Sequence, residues 1–128
     1  MRVLIADDDR VFAELAASRL RARGFSVMIA YDTPTALMNA VRHTPGVILL
    51  DIRMPGGSGL DTLKRLKANA HTEPIPVIIV SATRDPGAES RALQDGAAGF
   101  LHKPIEADAL YAEVCRVLGR PMEDGGSA

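Results

Sequence analysis

Five short apolar runs punctuate the chain, and four of them end in a charged or hydroxyl residue. Arg2 to Ala6 runs into Asp7-Asp8-Asp9, Gly46 to Leu50 into Asp51, Val77 to Val80 into Ser81, and Gly99 to His102 into Lys103-Pro104; Phe25 to Ala30 is the remaining run. Val47-Ile48-Leu49-Leu50 and Val77-Ile78-Ile79-Val80 are apolar at every position. Runs of that kind, bounded by Gly and Pro, read as strands buried on both faces. Between the runs the apolar spacing lengthens to that of helices. The first helix is expected over Arg10 to Arg23, with Val11, Leu15 and Leu20 as its apolar positions and Gly24 closing it at C′. Asp32-Thr33-Pro34 and Asp85-Pro86 each pair a cap with proline at N1, opening helices that run to about His43 and to about Asp95-Gly96. A third helix is expected over Gly59 to Asn69 with Leu60, Leu63 and Leu66 on one face. A last one covers Ile105 to Leu118 with a stripe of Leu110, Val114, Val117 and Leu118. Ile52 to Ser58 and His71 to Pro76 read as connecting loops.

Strand and helix therefore alternate five times. That order implies an α/β fold with a parallel sheet, right-handed crossovers and helices on both faces. The length of 128 residues suits one domain over residues 1–119, with 120–128 as a flexible tail or linker stub. A formal net charge of −1 supplies no general attraction to nucleic acid or to an anionic membrane. No apolar run approaches the roughly 18 residues of a membrane span. The opening apolar stretch is too short for a signal-peptide core, so a cytoplasmic location is expected. A lone cysteine, Cys115, excludes an internal disulfide and fits a reducing compartment; it reads as a small core hydrophobe of the last helix. One Cys and the scattered His43, His71 and His102 form no zinc spacing.

A parallel sheet places all its strand ends along one edge, where open α/β folds bind ligands. Asp7-Asp8, Asp51, Ser81 and Lys103 then converge from distant parts of the chain. Taken singly, each has a plainer use: the acids as helix or turn caps, Ser81 as a turn residue, Lys103 as a solvated charge. Together they form a chemical set. Three neighbouring carboxylates repel one another unless a cation sits among them, and all-oxygen ligands suit Mg²⁺. An ammonium and a hydroxyl facing the same point add an anion site. Those parts are what phosphoryl transfer needs, and a carboxylate can itself be the nucleophile, giving an acyl phosphate.

The chain resembles the receiver domains of two-component response regulators over about residues 1–119. The matching stretches are Val3-Leu4-Ile5-Ala6-Asp7-Asp8-Asp9, Leu50-Asp51-Ile52-Arg53-Met54-Pro55-Gly56, Ile75-Pro76-Val77-Ile78, Ser81-Ala82, Gly96-Ala97 and Phe100-Leu101-His102-Lys103-Pro104. The resemblance implies a flavodoxin-like doubly wound (βα)5 fold with strand order 2-1-3-4-5. It implies Asp51 as phosphoacceptor, and Mg²⁺ bound by Asp8, Asp51 and the main-chain carbonyl of Arg53, with Asp7 acting through water. It implies Ser81 and Lys103 on the phosphoryl oxygens, Phe100 as the aromatic switch, and a cis peptide between Lys103 and Pro104. The donor would be a sensor histidine kinase or a histidine phosphotransfer protein, and the output a changed protein-binding surface rather than turnover of a separate substrate. The domain's only catalysis would be its own phosphorylation and dephosphorylation.

Some positions depart from the family pattern. Gly57 stands where many members carry Met or another apolar residue, which implies a looser loop. Phe100 lacks the hydroxyl of the commoner Tyr. Gly99 and Ile105 replace the acid and Phe of the DNA-binding subfamily that dimerises through its last two helices, which argues against that dimer mode. Two other readings compete. A Mg²⁺-dependent phosphohydrolase working through an aspartyl phosphate carries a second acid two residues after its nucleophile, where this chain has Arg53. A binding module that is never phosphorylated has no use for the full set of acids, hydroxyl and lysine.

Overall fold

The computed structural model describes residues 1–54 and 56–121. The expected tail beyond residue 121, and Pro55 of the 52–58 loop, lie outside the described residues. Five parallel strands form one sheet: β1 (Arg2–Ala6), β2 (Ser26–Ala30), β3 (Val47–Asp51), β4 (Val77–Ser81) and β5 (Gly99–His102). Their order is β2-β1-β3-β4-β5, as the family resemblance implies. Five helices connect and follow them: α1 (Arg10–Ala22), α2 (Thr33–His43), α3 (Gly59–Ala68), α4 (Pro86–Gln94) and α5 (Ala107–Leu118).

Side chains of a strand alternate between the two faces of its sheet, and this alternation splits the core in two. Val3, Ile5, Val47, Leu49, Ile78 and Val80 point to one face, where α1 and α5 cover them. Leu4, Ala6, Ile48, Leu50, Val77 and Ile79 point to the other, covered by α2, α3 and α4. Every residue of β3 and β4 is buried, which is why their sequences show no polar alternation. Each such side chain contributes roughly 1.5–3 kcal/mol on burial, so the strand ends that carry the polar residues are fixed in place.

The helix starts follow their caps. Asp9 accepts the Phe12 N–H at 3.1 Å, Asp32 accepts that of Thr35 at 2.8 Å, and Asp85 accepts that of Gly87 at 2.9 Å. Gly24, with φ +93°, takes the left-handed position just past α1. The apolar face expected for α1 is corrected. Val11 and Leu15 are 72% and 58% exposed, and the buried face is Ala13, Ala16, Ala17 and Leu20. At 100° per residue Val11 lies opposite Leu20, so the two cannot share a face, whereas the three alanines and Leu20 form one narrow stripe. In α5 the buried positions are Leu110, Tyr111, Val114 and Cys115, and Val117 and Leu118 pack at its margin.

Two further differences concern the loops. Residues 52–58, expected as plain loop, contain a two-residue antiparallel ribbon pairing Arg53–Met54 with Gly57–Ser58. The last helix starts at Ala107 rather than Ile105, with Glu106 at its N-cap position.

Candidate functional site

The carboxyl ends of β1, β3, β4 and β5 bring the polar residues together at one edge of the sheet. The register sets Asp51 beside Val80 and Ser81 beside His102, and the Asp7 N–H donates to the Ala30 carbonyl at 2.9 Å. The Lys103 N–H donates to the Ser81 carbonyl at 2.8 Å, which ties the start of the Lys103-Pro104 turn to the end of β4. The Lys103–Pro104 peptide bond is cis. On the other side of Asp51, α3 starts so close to β3 that a Cβ on Gly59 would overlap the Asp51 carbonyl oxygen; the Gly59 N–H donates to the Ile52 carbonyl at 2.7 Å.

Asp7 is 1% exposed and Asp51 7%, while Asp8 lies open to solvent. Carboxylate oxygens of the three residues lie within 4.8 Å of one another. Asp7 uses its two oxygens differently. Oδ1 accepts the Asp9 N–H at 2.9 Å, and Oδ2 faces the Lys103 ammonium at 2.8 Å in a charge contact without hydrogen-bond alignment. Lys103 Nζ is also 3.9 Å from Asp9 Oδ2. Asp9, grouped in the sequence with its two acidic neighbours, thus serves mainly as the cap of α1 and lends a second, weaker charge to the lysine.

Loss of water around Asp51 is the main reason its carboxyl is pushed up to about 7. The neighbouring charge of Asp7 pushes the same way, and the Lys103 ammonium and a hydrogen bond from the Arg53 N–H oppose it. A carboxyl in that state carries an electrostatic cost that a cation would relieve. The donors fit a hard divalent ion: all are oxygens, they converge, and the buried Asp7 Oδ2 has no aligned donor.

Ser81 is 1% exposed. Its Oγ accepts the Thr83 N–H at 3.0 Å, which orients the side chain and leaves the hydroxyl proton free for an acceptor. Phe100 is half-buried against the core beneath α4, with its ring centroid 4.9 Å from that of His102. His102 in turn sits 3.6 Å from Glu89 of α4. Arg53, whose backbone N–H donates to Asp51, is exposed beside the site, and Arg84 is exposed three residues after Ser81. One close neighbour of the site escapes a reading of the sequence alone. The Phe12 ring centroid lies 4.4 Å from Lys103 Nζ. Its only sequence signal is an aromatic residue in the first turn of the helix that follows the acids.

Acidic cluster, hydroxyl and lysine on a 2-1-3-4-5 parallel sheet are the arrangement of a receiver, and the comparisons agree. The response regulator receiver domain family matches residues 3–115, and the chain belongs to that family. It is 39% identical over 113 residues to the response regulator PleD of Caulobacter vibrioides, covering 88% of this chain and 25% of that protein. It is 32% identical over 119 residues to the phosphate regulon transcriptional regulatory protein PhoB of Escherichia coli, covering 93% of this chain and 52% of that protein. The receiver domain of the Francisella response regulator 1452 superposes with a TM-score of 0.85 at 30% identity, over 92% of this chain and 96% of that one. The chain thus spans about a quarter to a half of the curated relatives. It is a receiver domain of the response regulators of two-component signalling, a signalling domain of a family that uses Mg²⁺ at an acidic site. None of the helices described is long and apolar enough to cross a membrane.

Proposed function

We propose that this receiver accepts a phosphoryl group on Asp51 from a histidine kinase or a histidine phosphotransfer protein, and signals through a changed protein-binding surface. The observation that carries the reading is the buried Asp51 carboxyl, placed with Asp7 and Asp8 and within electrostatic reach of Lys103. An Asp51 oxygen forms the new bond to phosphorus, and the bond from phosphorus to the donor nitrogen breaks with its electron pair going to the donor. Asp8, Asp51 and the Arg53 carbonyl, with Asp7 through water, would hold Mg²⁺, which when bound neutralises charge that builds on the phosphoryl oxygens. Lys103 turns its ammonium from Asp7 to a phosphoryl oxygen. Ser81 donates its free hydroxyl proton to another.

The Ser81 movement draws the chain after β4 toward the site, and Phe100 follows by rotating further inward. The surface of α4, β5 and α5 changes as a result, a population shift between two packed arrangements. Residues 1–119 suffice for this chemistry. No separate enzymatic activity is needed, and a phosphohydrolase reading is disfavoured by Arg53 at the position where a second acid would serve. The test is intact-mass spectrometry with acetyl phosphate and Mg²⁺. The parent protein should gain the mass of one phosphoryl group and Asp51→Asn should gain none. An equal gain in the variant would refute the assignment, and no gain in either would favour a module that is never phosphorylated.

A further inference from the structure

Lys103 is held from three sides: by Asp7 Oδ2 at 2.8 Å, by Asp9 Oδ2 at 3.9 Å and by the face of Phe12 at 4.4 Å. Its side chain is 15% exposed. We propose that Phe12 is a positioning residue for Lys103, its ring face holding the ammonium at the phosphoryl site. The proposal rests on the reading of Asp51 and Lys103 given above.

The three neighbours do different things to the ammonium. A carboxylate attracts it strongly but takes an N–H and cancels its charge. An aromatic face attracts it through the ring quadrupole, accepts no strong hydrogen bond and leaves the full positive charge. When Asp7 turns to other duties, the ring is the neighbour that can keep Lys103 in place with its N–H groups free for phosphoryl oxygens. The ring itself is well anchored. Phe12 is in the first turn of α1, its N–H bound to Asp9 Oδ1 at 3.1 Å, while the other oxygen of Asp9 faces Lys103. One residue therefore steadies the lysine twice, through its ring and through the carboxylate its backbone orients. The ring is partly buried and packs against the core cluster that includes Ala16 and Leu110.

Three substitutions separate the ring's electronics from its bulk. Trifluorophenylalanine at position 12 keeps the shape but weakens the negative face. Phe12→Leu keeps an apolar contact and removes the face, and Phe12→Trp restores a stronger one. The rate of Asp51 labelling by acetyl phosphate with Mg²⁺ should fall about five-fold in Phe12→Leu, and less in the fluorinated protein. The loss should lie in the rate at saturating donor, with the melting temperature of the fluorinated protein unchanged. Phe12→Trp should label at the parent rate or faster. Labelling at the parent rate in both the fluorinated and the leucine proteins overturns the proposal. A second readout stands apart from phosphorylation: the Lys103 Cε protons, close to a ring face, should resonate upfield and return toward ordinary lysine values in Phe12→Leu. A parent protein that takes no label while this shift behaves as expected would remove the Asp51 reading and keep the brace. A shift that does not respond to Phe12→Leu overturns the brace whatever the labelling shows.

Discussion

Asp51→Asn should stabilise the metal-free protein, and do so in a pH-dependent way. The parent carboxyl is pushed up to about 7, by burial first and by the charge of Asp7 second, from an ordinary value of 3.8. The folded state therefore binds this proton more tightly than the unfolded chain does. Below pH 3.8 both states hold the proton and Asp51 costs nothing. Between 3.8 and 7 the unfolded chain releases it first, so stability falls as pH rises, and above 7 the full cost is present. A gap of about three pH units sets a ceiling of about 4 kcal/mol. Relaxation of the protein and nearby water around a buried charge lowers the cost actually felt, and we halve that figure to about 2 kcal/mol. The amide variant has nothing to ionise and escapes the cost. Urea unfolding at 25 °C in EDTA should show Asp51→Asn more stable by about 2 kcal/mol at pH 8, with more than half of that difference gone at pH 4. Saturating Mg²⁺ at pH 8 should narrow or reverse the order, because the ion binds the carboxylates of the folded parent far better than the amide. A variant no more stable than the parent at pH 8 in EDTA, or an advantage that ignores pH, would show that Asp51 is not under the electrostatic load described.

Three further outcomes follow from the same geometry. Arg53 is exposed two residues after the acceptor and can neither act as a base nor position a water as an amide could, so Arg53→Asn should speed loss of the acyl phosphate. A tenfold gain corresponds to about 1.4 kcal/mol of barrier, and phosphate release at constant Mg²⁺ after donor removal measures it; a rate equal to or below the parent's would refute the shielding role. Leu49→Ala should cost about 2–5 kcal/mol in urea unfolding, since Leu49 is 1% exposed between two helices and the sheet; a loss below about 1 kcal/mol would mean the site collapses around the gap. Amide shifts on adding beryllofluoride with Mg²⁺ should cluster over residues 82–105, and shifts confined to the residues touching the ion would count against the Ser81 and Phe100 movement.

Much of the fold was legible because its strongest determinants are local. The unbroken apolar runs at 47–50 and 77–80 mark central strands, since only a strand covered on both faces tolerates such a run. The Asp-Thr-Pro and Asp-Pro caps mark where α2 and α4 begin, because the capping bonds lie within three residues of the cap. The candidate site was legible for a different reason. A parallel sheet sends all its strand ends to one edge, so the alternation of elements was enough to bring Asp7, Asp8, Asp51, Ser81 and Lys103 together. The two-residue ribbon within 52–58 was not legible, as the pairing involves too few residues to leave a pattern.

What the sequence by itself determined, then, is the order of elements, the edge where the polar residues meet and the chemistry those residues can support. What only the tertiary structure decided is which surfaces touch and how much water each polar group keeps. Three alanines and Leu20, not Val11 and Leu15, form the buried face of α1, because they share one narrow stripe along the helix and the alanines let it lie close to the sheet. Asp7 and Asp51 are both acids at strand ends, as Asp8 nearly is, yet burial by neighbouring elements loads Asp51 electrostatically and sets Asp7 against Lys103, while Asp8 stays in solvent. Phe12 meets Lys103 across 91 residues of chain, a contact with no local signal, because the distance between an ammonium and a ring face is set by the packing of α1 against the turn after β5 and by nothing in either segment alone.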